Sequence, residues 1–257
     1  FELFEEYGTD AVRFGTMLMA PQGLDVLFAK ERLEVGRNFM NKLWNACRFI
    51  QLNIPENWNE DIKLDFKNLD LPEKWILDQL SETINNFNNQ IDRFYFNEAA
   101  KIIYDYTWND FCDWYIEIIK IRFYSQDEHQ KNIARSIAIK CIKSIITLLH
   151  PYTPFITEEL WSYFKENSQS DLIISSWIKP KAFKKSKNIQ KEMDFLKSIV
   201  TSIRSIRSRM NVPLSKKVDL TVRCDKKVEV TFNNHKSLIT SLANLNNISL
   251  GEKIERP

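Results

Sequence analysis

The residues with the most chemical promise lie between Lys30 and Ile54. Leu33, Gly36, Met40, Leu43, Cys47, Ile50 and Ile54 recur at steps of three and four, which predicts one buried face of a helix. Taking Leu43 as the centre of that face and stepping about 100° per residue puts Arg37, Asn38, Asn41, Lys42, Asn45 and Arg48 on the opposite side. Phe49 lands beside Asn45 and Lys42. An aromatic ring among amides and cations suits an unstacked nucleic-acid base. The ring offers a stacking plane, the amides can read base edges, and the cations can meet phosphates. The same periodicity also lets Phe49 pack under the polar stretch 56–71, and on spacing alone both readings stand.

A second cluster is purely electrostatic. Eleven Lys and Arg face two acids between Lys181 and Lys217, a local net charge of +9. Residues 218–257 add +1, so the chain total of +2 leaves −8 for the first 180 residues. An acidic body thus carries a basic collar. Lys184, Lys185, Arg204 and Arg207 in that collar are candidates for contact with a polyanion backbone, and a solvated linker is the alternative.

Other chemistry finds poor material. His129, His150 and His235 are far apart, and none falls in a recognisable Ser or Cys nucleophile motif. His150 precedes a proline at a helix end, where an imidazole commonly satisfies terminal carbonyls. No phosphate-binding glycine loop, paired-glycine dinucleotide turn or metal-binding helix is present. Cys47, Cys112, Cys141 and Cys224 have neither close partners nor a His at ligand spacing. They read as buried free thiols, and neither a disulfide framework nor a zinc site is expected. A binding module is favoured over a self-contained enzyme, with no catalytic residue and no metal site.

The elements that must position these residues are mostly helical. Five glycines in 257 residues argue against a turn-dense all-β fold. Helices are predicted over Asp10 to Met19, Lys30 to Ile54, Pro72 to Gln90, from Asn97 through Ile121, Gln130 to Leu149, and Pro154 to Phe164. Thr9, Asn97 and Thr153 are the expected caps. Along the fourth helix, Ala100, Ile103, Phe111, Trp114, Ile118 and Ile121 are expected to share the buried face. The Phe94-Tyr95-Phe96 and Trp114-Tyr115 clusters read as core packing. Helices of this kind joined by short loops form an antiparallel bundle.

The tail reads differently. Leu172 to Ile174 is expected to be extended, and 179–190 a basic linker. A helix should follow to about Met210, then a strand at Val218 to Val222, a short helix at Lys236 to Ala243 and a last strand at Ile248 to Leu250. Residues 227–232 fit strand or helix equally, and a further strand partner is expected beyond Pro257. The fold class is therefore mainly α, an antiparallel helical bundle followed by a small α/β appendage. The expected divisions are a connector at 1–29, a bundle at 30–178, the linker, and the appendage at 191–257. No apolar run is long enough to span a bilayer and no leader is evident, so a cytoplasmic setting is expected. The chain opens without Met, as a piece cut from a longer protein would.

Several separated stretches then resemble one family. Glu6-Tyr7-Gly8-Thr9-Asp10-Ala11-Val12-Arg13-Phe14 is similar to the segment that follows the KMSKS signature of class I aminoacyl-tRNA synthetases. Arg37-Asn38-Phe39 with Asn41-Lys42-Leu43-Trp44-Asn45-Ala46 resembles the opening of their anticodon-binding helical domain. The run from Leu148 to Trp161, with His150-Pro151-Tyr152-Thr153-Pro154 at its centre, resembles its close. Phe111-Cys112-Asp113-Trp114-Tyr115 and the stretch from Ile203 to Lys217 are similar to the valyl branch. The resemblance covers nearly the whole chain and weakens after about Val222.

The resemblance implies the anticodon-binding C-terminal region of a valyl-type synthetase. Its parent would use ATP, with Mg, to attach valine to tRNA(Val). The catalytic and editing domains would precede Phe1 and a coiled coil would follow Pro257; the piece itself would hold no cofactor and be inactive alone. Phe49 matches a bundle aromatic that stacks on an anticodon base in the valyl branch. An arginine used by some members a turn before Arg37 falls on Glu31, with Arg32 beside it. An isoleucyl or leucyl domain of the same fold, or a helical protein-interaction scaffold without an RNA role, are the alternatives.

Overall fold

The computed structural model describes residues 1–19, 28–56, 58, 66–166, 170–179 and 187–253. The chain divides into two compact units, residues 1–184 and 185–257.

In the first unit α1 (Glu2–Tyr7) and α2 (Thr9–Met19) lead to α3 (Lys30–Leu52). Then come α4 (Leu71–Asp92), α5 (Phe96–Asp105), a π-helical stretch (Tyr106–Tyr115), α6 (Ile116–Phe123), α7 (Glu128–Leu149) and α8 (Pro154–Phe164). α7 is the central helix. Fifteen of its 22 residues are buried, and Asp127 caps it by accepting the Gln130 N–H at 3.1 Å. The expected bundle of helices is what the chain forms.

Helices α2 and α3 cross at close quarters because two glycines meet backbone. A Cβ on Gly36 would lie 2.3 Å from the Ala11 carbonyl oxygen, and one on Gly15 would lie 3.0 Å from the Arg32 carbonyl. Gly36→Ala must therefore push α2 off α3. A loss of about 1–3 kcal/mol is expected in urea unfolding, as for other overpacked contacts. An unchanged midpoint would mean the helices are free to separate.

Local structure departs from expectation at identifiable points. Asn97 does not cap α5: the helix begins at Phe96, and the buried Asn97 amide donates to Glu98. Thr153 stands at the N-cap of α8, but its hydroxyl donates back to the Leu149 carbonyl. The orphan N–H of Ile156 is instead met by Asp10 of α2, at 2.6 Å. That carboxyl is buried, and desolvation holds its pKa above the usual value. The π stretch shifts the phase of the helical path, so Phe111, Tyr115, Ile118 and Ile119 are buried while Trp114 and Ile121 are half-exposed. Leu172–Ile174 is a 3₁₀ turn, not an extended segment. Phe94 and Phe96 are not core residues: they are 68% and 43% exposed, edge-on to each other, and Phe94 has a left-handed φ of 63°. A turn of backbone between α4 and α5 carries them outward.

The second unit has α9 (Lys187–Arg209), β1 (Val218–Arg223), α10 (Lys226–Asn234), α11 (Lys236–Ala243) and β2 (Leu245–Gly251). The ambiguous 227–232 stretch is helical, capped by Asp225 accepting the Val228 N–H at 2.8 Å. β1 and β2 pair in parallel as a two-stranded sheet, with α10 and α11 as the crossover.

Candidate nucleic-acid interface

Exposure along α3 follows angular distance from Leu43. Asn38, Asn41, Asn45 and Arg48, near the pole opposite Leu43, are exposed. Arg37, Lys42 and Phe49 lie at the margins of that arc and are half-buried. Arg32, in the first turn of α3, is exposed although it lies near the azimuth of Leu43 and away from the pole. From Val35 to Pro55 the sequence has three cations and no acid. Arg32, Asn38, Asn41, Asn45 and Arg48 make no side-chain hydrogen bond or ion pair with the described residues. The pole of the helix is therefore a field of unspent donors.

The margins are held by specific partners. A ladder of rings runs from Phe14 to Phe39 (4.8 Å), Tyr104 (5.0 Å) and Trp108 (5.7 Å). The Lys42 ammonium sits 3.7 Å over the Trp108 ring and pairs with the Asp113 carboxylate. Both partners come from the π stretch. Lys42 is thus a fixed charge beside the pole rather than a mobile one. Arg37 lies 5.3 Å from the Tyr7 ring centre and 3.9 Å from Glu34.

Phe49 is not a free plane. Its ring packs on Phe123 of α6 at 5.8 Å, with the Lys120 ammonium 5.7 Å from its centre. Phe123 is buried and Phe49 remains half-exposed, so Phe49 can offer a ring surface at the margin of the donor field. Residues 57 and 59–65 of the stretch expected to cover it lie outside the described residues.

The basic collar resolves into two parts. Lys184 and Lys185 lie outside the described residues. Arg207 belongs to the inside of the second unit: it is 4% exposed and donates to the carbonyls of Ala243 (2.7 Å), Asn244 (3.2 Å), Pro213 (2.6 Å) and Lys216. Such a side chain cannot reach a phosphate, which corrects the expectation for Arg207. Arg204 is half-buried and donates to the Leu242 carbonyl at 2.9 Å. Charge counting could not separate these from solvated cations, because their acceptors are backbone oxygens and carry no sequence signature.

The other titratable groups have structural partners. His150 Nδ1 is 2.8 Å from the Thr157 hydroxyl, which ties the helix turn to α8. The thiols of Cys47, Cys112 and Cys141 are buried and unpaired, and burial pushes Cys112 and Cys141 up to about 12. At that value they are inert at neutral pH. Among the described residues no group of three or more His, Cys, Asp or Glu could hold a metal ion, and no helix is long and apolar enough to cross a membrane.

Comparison with known proteins places the chain in a family. The chain is 34% identical over its whole length to valine–tRNA ligases of Bacillus cereus and Staphylococcus aureus, and it spans 29% of the length of each. Its fold is similar to part of an Agrobacterium radiobacter K84 leucyl-tRNA synthetase solved in a ternary complex with tRNA (TM-score 0.52, 18% identity, 70% of this chain and 21% of that one). It is also similar to part of an apo methionyl-tRNA synthetase of Mycobacterium tuberculosis (TM-score 0.50, 15% identity, 62% of this chain and 33% of that one). A family model described as "Anticodon-binding domain of tRNA ligase" matches residues 73–222. With more than half of its length inside that match and a helical bundle to carry it, the chain belongs to the anticodon-binding domain family of tRNA ligases.

Proposed function

We propose that this chain is the anticodon-recognising region of a valine–tRNA ligase and that the exposed pole of α3 reads the anticodon of tRNA(Val). The observation that carries the reading is the row of Asn38, Asn41, Asn45 and Arg48, without side-chain partners among the described residues, on a stretch of α3 without acids. Identity to valine–tRNA ligases over all 257 residues supports the valyl choice over an isoleucyl or leucyl domain. Valine codons begin with GU, so valine anticodons share A at the middle and C at the third position. Those are the bases the surface must read. Amides supply hydrogen-bond information to base edges, while Arg48 and Arg32 supply charge to the backbone.

The chemistry of aminoacylation, with ATP and Mg, belongs on this reading to the parts of the parent enzyme outside this chain. The described residues do not fit those groups. Gly15 and Gly36 are consumed by the α2–α3 crossing, and Gly8 stands at the end of a single short helix. The purified chain is expected to show no valine-dependent ATP–pyrophosphate exchange. Exchange above background would refute that division of labour.

Phe49 has two duties on this account. Phe49→Ala should weaken tRNA binding by about 1–3 kcal/mol, the worth of one stacked base. It should also cost stability, because its contact with Phe123 is lost. Titration of tRNA, corrected for the folded fraction by thermal unfolding, separates the two. An unchanged corrected affinity would leave Phe49 with packing alone.

A further inference from the structure

One flank of the α3 pole opens into a cleft that none of the roles above uses. It lies between α3 and α8, has a volume of about 210 Å³, and is lined by Trp44, Cys47, Arg48, Gln51, Leu160 and Tyr163. That volume is below the range of about 300–1,000 Å³ typical of drug-sized ligand sites, and suits a single planar ring system. Trp44 and Tyr163 stand edge to face, with centroids 6.2 Å apart and planes at 79°. Leu160 and Cys47, both buried, close the floor.

The Arg48 guanidinium, the Gln51 amide and the Trp44 indole N–H make no hydrogen bond with the described residues. The Tyr163 hydroxyl is engaged: it donates to Glu159 at 2.6 Å, which fixes the ring. The site thus has an apolar floor, two aromatic walls and three donor groups without a partner among the described residues, one of them an amide that can also accept. Charged peptides would find a single cation here and no second anchor. A heteroaromatic ring with donors and acceptors on its edge is the chemistry that matches such a mixture of groups.

We infer that the Trp44–Tyr163 cleft receives one unstacked base of the bound RNA, with Arg48 and Gln51 hydrogen-bonding its edge. The inference rests on the reading of α3 as the RNA-binding face and deepens it. Arg48 belongs to both, because it sits where the exposed pole turns into the cleft. The pole and the cleft then read different nucleotides of the same loop, with Phe49 on the opposite flank. A base held against an aromatic wall, with its edge paired, is protected from reagents that modify that edge.

The test uses unmodified valine tRNA, the whole chain, and two variants. Gln51→Leu keeps the shape of an exposed side chain and removes its hydrogen bonds. Tyr163→Ala removes one wall, and thermal unfolding checks that it stays folded. Loop bases are probed with dimethyl sulfate and carbodiimide, and affinity is measured by titration. Tyr163→Ala is expected to weaken binding about 5- to 150-fold, as for loss of one stacked base. Both variants should lose protection at the same single base while other protections persist. If the wild-type chain binds tRNA and the folded variants show the same affinity and the same protected bases, the cleft proposal is overturned and the reading of the pole stands. If the wild-type chain does not bind tRNA, both fail. Should Tyr163→Ala unfold, Gln51→Leu alone decides through the protection pattern.

Discussion

Arg122→Met is expected to destabilise the first unit by about 3–5 kcal/mol, the cost of stranding a buried charge. Arg122 projects from α6 and grips Glu73 of α4 with two contacts of 2.9 Å, one from Nε and one from Nη2. Nη2 also reaches Asp70 at 3.0 Å, and Nη1 donates to Gln130 of α7. Three helices meet at one guanidinium. The Glu73 side chain is 1% exposed, and desolvation already holds its carboxyl above the usual range while Arg122 pulls it down. Removing the arginine takes away that counterweight and raises the Glu73 pKa further. The folded variant would then bind a proton that its unfolded state has released, so its stability should fall as pH rises above the ordinary carboxylate value. Urea unfolding of Arg122→Met at several pH values tests this. A loss below about 1 kcal/mol, or one that does not shrink toward acid pH, would mean Glu73 is not stranded.

Arg207→Met should be nearly as severe for the second unit, about 3–5 kcal/mol, because a cation with four carbonyl acceptors is replaced by an apolar chain. Two of those acceptors belong to the C-terminal end of α11, where the helix dipole favours a cation, and the others to the turn at Pro213–Lys216. Asn244, left-handed at φ 50°, reinforces the same junction by donating to Leu214 and Ser215. Arg207→Lys should recover only part of the loss, since an ammonium cannot span four carbonyls. Neither change should alter the salt dependence of RNA binding, whereas each phosphate contact removed would flatten the slope by roughly 0.7–0.9. A flatter slope with unchanged stability would return Arg207 to the RNA.

Much of the bundle was legible because the signals are local. Periodicity placed α3, α4, α7 and α8 to within a few residues of where they lie. What escaped was relational. The cap of α8 comes from Asp10, 146 positions away, and no spacing rule reaches that far. A 3.6-residue period cannot anticipate the π stretch at Tyr106–Tyr115, which turns Trp108 and Asp113 toward Lys42. The donor field on α3 was visible as a polar arc, but its margins were not: Lys42 and Phe49 look equivalent to Asn45 on a wheel, and their partners on other helices decide otherwise. The cleft beside Trp44 needed α8 in place before it existed.

The central claim is that the exposed pole of α3 distinguishes anticodons. The most direct measurement compares the affinity of the chain for a valine tRNA and for the same tRNA with the middle A and third C of its anticodon replaced. The account predicts a preference of about tenfold or more for the intact anticodon, equivalent to at least about 1.4 kcal/mol. That preference should collapse when Asn38, Asn41 and Asn45 are changed together to Ala, while the residual affinity keeps its salt dependence. Equal affinity of the folded wild-type chain for both tRNAs would contradict it.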